Sequence, residues 1–476
     1  MKTADTVIAN GIILTMEGRG AGIINDGAVA IKGTDIAAVG STKDVLREYS
    51  ADRVINAHNK AVLPGFIDCH AHSSDAIARG MAQDITGWMY KGIWPVLSCA
   101  DEEAIKAGSM IHLAESVQNG TTTVCDMVNG IVPVIENHVS LGVRSFISEM
   151  VHELPADIYK CDPLAPIDFD HSVGNAKFRN CVKMTEKYHG YDSGRINCMV
   201  GPQAINMCSV EMMDTLYDYA RKNKLGVTIH VAQSDRENIQ VEKRYGKRAI
   251  PLLKEHGFLG EDVLGIHLTC ATLGELKTMV DSGCPMVLCS NSIAIIGGEM
   301  PPASEYLELG GIVGMGTDQA PGNNRNNMFQ EMKNGSLLNK CKHKNGTVFP
   351  AWQMLRMATI DGARALRREN EIGSLRAGKK ADIIIVDLEY PALTPIIRGP
   401  IRNIVPNLVY SANGSEVETV IINGKFVVED HKLLTVDLKK AIDRANEAAD
   451  RFSEKLYRFQ GLNDLPLAKW TSEGLY

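Results

Sequence analysis

Two histidines close the stretch Ala61-Val62-Leu63-Pro64-Gly65-Phe66-Ile67-Asp68-Cys69-His70-Ala71-His72. An apolar run crosses a Pro-Gly break, continues through Phe66 and Ile67, and ends in the pair. On a strand, residues i and i+2 project to one side. His70 and His72 therefore leave one strand end together, spaced as a divalent metal requires. Three further places repeat this arrangement. Gly226-Val227-Thr228-Ile229 ends in His230, Val263-Leu264-Gly265-Ile266 ends in His267, and Ile312-Val313-Gly314-Met315-Gly316-Thr317 ends in Asp318. A lone strand-end histidine is ordinarily a satisfied polar residue, but four such ends in one chain point to convergence. Imidazoles plus one carboxylate, with a position left for water, make a catalytic site for zinc or a similar ion. Such an ion lowers the pKa of its water to about 7. Asp318 is suited both to touch the metal and to take the water's proton. His267, off the metal, is suited to hydrogen-bond the water or the developing oxyanion.

The elements that must position these residues follow from pattern. Helix-like stretches at 102–119, 209–223, 235–256, 272–282 and 351–367 alternate with apolar strands at 121–126, 196–200, 226–231, 263–267, 285–288 and 312–316. That alternation predicts βα units and a parallel sheet. Over this length an α/β fold of the (β/α)8 barrel type is expected, with its site at the C-terminal strand ends. The first sixty residues read instead as short strands. Asn10-Gly11 follows Thr6–Ala9 as a hairpin turn, and Lys32-Gly33-Thr34-Asp35 links two more strands. The same texture returns at 381–387 and in the hairpin 417–428 around Asn423-Gly424. The expected organisation is a distorted (β/α)8 TIM barrel over 62–378, a small β-sandwich built from 1–61 and 379–435, and a helical extension over 436–476.

The 476 residues carry a net charge of -7, so no basic footprint argues for nucleic acid. No run approaches the ~18 apolar residues of a membrane span. The first residues, MKTADTVIANGIILTM, lack the apolar core of a signal peptide. Eleven cysteines without a CxxC pair read as reduced, mostly buried thiols. A cytoplasmic setting is expected.

The order HxH, His, His, Asp, with PGFIDCHAH and GMGTD, resembles the amidohydrolase superfamily, in particular its cytosine deaminase-like branch. That branch holds adenosine-type and guanine deaminases and triazine amino- and chlorohydrolases. The resemblance covers nearly the whole chain. It includes Arg79-Gly80-Met81, Ile93-Trp94-Pro95, Gly120-Thr121-Thr122-Thr123, Asp318-Gln319-Ala320-Pro321-Gly322 and Gly378-Lys379-Lys380-Ala381-Asp382. It implies one divalent metal per chain (zinc, or iron or manganese) on His70, His72, His230 and Asp318, with His267 as the catalytic histidine beside it. It also implies a small heterocyclic substrate and a homodimer or larger homo-oligomer.

Two departures stand out. Deaminases of this branch usually carry a glutamate three residues after the third histidine, where this chain has Gln233. An amide exchanges hydrogen bonds but cannot shuttle a proton near neutral pH. Adenosine-type members also tend to have a histidine where Gln203 follows Pro202. Asp235 or Glu237 could replace the lost acid, although acids favour a solvated helix start in any case. The expected reaction is metal-dependent aminohydrolysis of a purine, pterin, pyrimidine or triazine. Halide loss or cyclic amide cleavage on the same metal site is the alternative, since halide leaves without a proton. A metal-binding relative that has lost catalysis is a further one. Trp88 and Trp94 are candidates to stack on a flat ring, Gln203 and Asn291 to hydrogen-bond it, and Gln233 to join the catalytic set. His152 and Glu149 lie near the third strand end. Cys69 should face away from the ligands.

Overall fold

The structure is a computed structural model that describes residues 1–459 and 465–475. Eight short parallel strands form a closed ring. They are Phe66–His72, Thr121–Val128, Arg144–Val151, the broken pair Ile196–Cys198 and Gly201–Pro202, Val227–Val231, Val263–His267, Met286–Leu288, and the broken pair Val313–Met315 and Asp318–Gln319. The first strand pairs with the second, the second with the third, and the third with both halves of the fourth. Single bridges, Val200 to Val227 and Ala204 to His230, link the fourth to the fifth. The fifth to eighth follow in order, and Asp318 pairs with Ala71 to close the ring. Helices cover the outside, so these strands are buried on both faces and read as apolar runs.

Helix boundaries follow local chemistry. Asp101, Ser209 and Thr272 cap the helices Glu102–Gln118, Val210–Asn223 and Leu273–Asp281, the last with a capping box to Glu275. The stretch expected as one helix over 235–256 is two, Asp235–Tyr245 and Ala249–Glu255. Gly246, at φ 69°, takes the left-handed conformation that ends the first.

The strands from both chain ends form a single nine-stranded sheet in which Lys2–Leu14 is central. The sheet curls on itself. Arg53 lies 4.2 Å from the Phe426 ring centroid and pairs with Glu429, enclosing Ile8, Val29, Val62, Ile383 and Ile421. Asn10-Gly11 is not the expected hairpin turn. It is a bulge inside one thirteen-residue strand, with Asn10 at φ 65°. Before the bulge this strand pairs with Tyr49–Asn56, and after it with Lys60–Pro64. Pro64-Gly65 is the crossing point from sheet to barrel. A Cβ on Gly65 would stand 2.0 Å from the Thr122 side chain, so only glycine passes there. Arg144 at the foot of the third strand grips Asp382 of the sheet at 2.5 and 3.0 Å, both fully buried.

Beyond the sheet, Leu438–Arg458 is helical, as is Pro466–Ser472. The expected extension also includes 460–464 and 476, which lie outside the described residues. Phe452 and Leu456 of the long helix pack against Ala78, Trp88, Ile93 and Val96. The helix thereby backs the segment that carries Trp88. Among the described residues, no helix is long and apolar enough to cross a membrane.

Candidate active site

His70, His72, His230, His267 and Asp318 meet at the C-terminal mouth of the barrel, none more than 5% exposed. The Nε2 of His230 lies 3.2 Å from Nε2 of His70 and 3.3 Å from Nε2 of His72. Asp318 Oδ1 is 3.6 Å from Nε2 of both His70 and His72, and its Oδ2 is 3.8 Å from Nε2 of His267. His72 donates from Nδ1 to the Met127 carbonyl at 2.6 Å, and His230 from Nδ1 to the Gln203 carbonyl at 2.7 Å. A carbonyl only accepts, so each Nδ1 holds the ring proton and each Nε2 presents a bare lone pair. Two lone pairs at 3.3 Å repel unless a cation lies between them. Nitrogen ligands arranged tetrahedrally about zinc at about 2.0–2.1 Å stand roughly 3.3–3.4 Å apart. The donor set therefore fits one divalent ion.

The close approach is built by the backbone. Asp68 Oδ1 accepts from the His70 N–H at 3.2 Å and from the Thr317 N–H at 3.0 Å, while Oδ2 accepts from the Thr317 hydroxyl at 2.6 Å. One carboxyl thus ties the first strand to the eighth between their metal-capable residues. Any Cβ on Gly316 would come within 2.8 Å of the His70 carbonyl oxygen, so this contact requires glycine. His267 and Asp318 hold φ of 76° and 61°, strained for residues with side chains, which re-aims both inward.

Burial pushes the His230, His70 and His267 imidazoles down, His267 to about 4, and the neighbouring imidazoles push the same way. Burial would raise Asp318, but His70, His267 and His72 outweigh it and hold the carboxyl well below its usual range. At neutral pH these three imidazoles are neutral donors and Asp318 is an anion, the states that bind a cation and accept a proton.

A cavity of about 270 Å³ opens beside His72, His230 and Asp318. Trp88, Trp94, Gln203 and Gln233 all line it, as does His152. A second cavity of about 520 Å³ adjoins it and shares Trp88, Gln233 and Asp318. Asn291 stands apart from both: its Oδ1 accepts from Asn334, and its N–H is held by Glu331. Glu149 is likewise committed elsewhere, to the N–H groups of Gly130 and Ile131 and to Lys177. Asp235 is exposed, whereas Glu237 is buried rather than solvated. Its carboxyl accepts from the N–H groups of Ala232 and Gln233 at 3.0 and 2.8 Å, so it holds the Gln233 backbone. Cys69 faces away, toward the Gly362 carbonyl.

Pattern reading missed three groups here. Asp68 alternates with His70 and faces the eighth strand, a signal present in IDCHAH. Cys289 sits within 4.8 Å ligand spacing of His267 and Asp318, at the end of the seventh strand. Asp75, three residues past His72, lines the first cavity, and burial pushes its carboxyl up.

A parallel barrel with this cluster at its C-terminal mouth is the architecture of a metal-dependent hydrolase. The chain belongs to the amidohydrolase family, which it matches over residues 61–427. It is 33% identical to a 5'-deoxyadenosine deaminase of Methanosarcina mazei over 449 residues, 94% of this chain and 98% of that one. It is 32% identical to a 5-methylthioadenosine/S-adenosylhomocysteine deaminase of Syntrophus aciditrophicus, covering 96% and 99% of the two chains. In fold it is similar to an adenosine deaminase from Xanthomonas campestris with bound zinc, at a TM-score of 0.86, 24% identity and coverage of 95% and 99%. It is also similar to a zinc complex of atrazine chlorohydrolase from Arthrobacter aurescens, at a TM-score of 0.81, 20% identity and coverage of 93% and 100%. The chain is thus a hydrolase of carbon–nitrogen bonds other than peptide bonds.

Proposed function

We propose that this protein is a zinc-dependent aminohydrolase that converts an exocyclic amino group of a nitrogen heterocycle to an oxo group and releases ammonia. An aminopurine compound is the first substrate class to test, because the deaminases similar in sequence are named for adenosine derivatives. The observation that carries the reading is the His230 Nε2 within 3.3 Å of the Nε2 atoms of His70 and His72, with the Asp318 carboxylate 3.6 Å from the latter two. His70, His72, His230 and Asp318 hold the ion in this reading. When bound, the ion supplies Lewis acidity that makes water a nucleophile near neutral pH. Asp318 takes a water proton at Oδ2, and His267 hydrogen-bonds the oxygen as it adds to the ring carbon. Asp318 then returns the proton to the departing nitrogen, which leaves as ammonia, and the hydroxyl left on the carbon passes its proton to a ring nitrogen to give the oxo form. Trp94 stacks on the ring, and Trp88, Gln203 and Gln233 orient it. The division into barrel, sheet and C-terminal extension, a cytoplasmic setting and a homo-oligomeric state complete the proposal.

Zinc-loaded protein should release ammonia from at least one member of a panel. The panel comprises 5'-deoxyadenosine, methylthioadenosine, S-adenosylhomocysteine, adenine, pterins and aminotriazines. One zinc per chain with no ammonia from any of them refutes the proposal. Gln233 favours one second reading, hydrolysis that expels halide or opens a cyclic amide, because chloride departs without the proton an amide cannot deliver. Chloride release from a chlorotriazine distinguishes it.

A further inference from the structure

The first cavity has hydrogen-bonding demands of its own, separate from the atoms the reaction uses. Gln203 is buried on its wall with Oε1 unpartnered. Trp88 is buried there too, and its Nε1–H is unpartnered. Asp75, 4% exposed, lines the same cavity. Its Oδ1 accepts from the Ser74 hydroxyl at 2.8 Å, and among the described residues its carboxyl makes no other hydrogen bond or ion pair. Buried polar atoms are ordinarily satisfied, and a carboxylate most insistently. The unsatisfied atoms of these three buried side chains are thus two acceptors, one of them a carboxylate, and one donor. Ile93, Leu97, Met150 and Leu154 add apolar wall and Trp94 an aromatic side chain, while Asn129, His152 and Gln233 are further polar groups open to a ligand.

A ligand that satisfies this wall is planar, brings N–H donors to Asp75 and Gln203, and offers a lone pair to Trp88. We infer that the substrate is a flat heterocycle bearing a second hydrogen-bond-donating amino group besides the one that leaves, docked on Asp75 and Gln203 while a ring nitrogen accepts from Trp88. The inference rests on the aminohydrolase reading only for the identity of the leaving group. A ring with hydrogen in place of the second amino group leaves the carboxylate unpaired, and sites built around such a bond reject the analogue lacking it.

The test compares 2,6-diaminopurine with 6-aminopurine on zinc-loaded wild type, Asp75→Asn and Gln203→Leu. Affinity is read by calorimetry where no ammonia is released, and by kcat/KM where it is. Gln203→Leu removes only the side-chain acceptor, since His230 is held by the residue's backbone carbonyl. Wild type should prefer the diamino compound by at least about tenfold. Each variant should lose most of that preference while keeping its zinc content. No preference in wild type, or an undiminished preference in Gln203→Leu, overturns the inference even if Asp75→Asn fails to fold. A preference with no ammonia from either compound or from any member of the panel above sinks the aminohydrolase reading and leaves this one standing. Ammonia without a preference does the reverse.

Discussion

Replacing Asp68 separates the role of its charge from its role as a clamp. Its carboxyl is fully buried, and burial raises it to about 7 despite hydrogen bonds from Thr317 and the His70 N–H. It is therefore partly neutral at neutral pH, and loss of charge alone should matter little. Asp68→Ala is different, because it strands the His70 and Thr317 N–H groups in a dry interior. Each orphaned donor costs about 1–3 kcal/mol, so the pair costs about 2–6 kcal/mol. The Thr317 hydroxyl also loses the acceptor for its O–H but keeps one partner, since its oxygen accepts from Asn326 Nδ2 at 3.3 Å. In Asp68→Asn the amide oxygen keeps both N–H donors, and the amide nitrogen can donate to Thr317 Oγ1, at a net cost of about 1 kcal/mol. The same clamp sets the distance between His70 and Asp318. Asp68→Ala should therefore also weaken zinc binding about 10–100-fold, as loss of groups that orient ligands commonly does. Thermal midpoints and zinc loss to a competing chelator measure both effects. If the alanine and asparagine variants melt and lose zinc alike, the carboxyl acts through its charge and the clamp argument fails.

Three further outcomes follow from the same geometry. Removing zinc with a chelator should lower the thermal midpoint and abolish turnover, with recovery on adding zinc; His230→Ala, lacking the imidazole between His70 and His72, should not recover. Gln233→Glu should raise ammonia release about tenfold or more, since a positioned acid commonly contributes 10²–10⁴-fold; a rate unchanged or lower means that proton delivery does not limit, and moves the weight to a leaving group that departs unprotonated. Burial raises Glu237 to about 7 from an ordinary 4.5, so the folded state binds more protons than the unfolded state between those values. Its contribution is complete below about pH 4.5 and is lost as pH rises through about 7, amounting to about 3 kcal/mol. Denaturation midpoints at pH 5 and 8 should show that loss in wild type and a smaller one in Glu237→Gln, whereas equal losses would contradict the assignment.

The cluster of strand-end histidines and Asp318 was legible because its chemistry is local. Histidines two apart on a strand must share a side, and a run of apolar residues buried on both faces must end where polar residues can emerge. That sufficed for His70, His72, His230, His267 and Asp318, for the barrel class, and for the helix Leu438–Arg458. Asn10-Gly11 shows where local reading stops. The same dipeptide serves a hairpin or a bulge, and the choice fell to the two strands that flank Lys2–Leu14 on one side. Glu237 carries a helix-start signature yet is buried, because the turn after His230 directs two N–H groups at it. Asn291 and Glu149 looked available until their partners, Asn334 and Lys177, arrived from other helices. What the sequence determined by itself was which side chains leave strand ends, since period and side follow from adjacent residues. Only the tertiary structure decided their spacing to tenths of an ångström, the Asp68 clamp between the first and last strands, and the unpaired atoms of Asp75, Gln203 and Trp88, because those depend on residues that meet only when the ring closes.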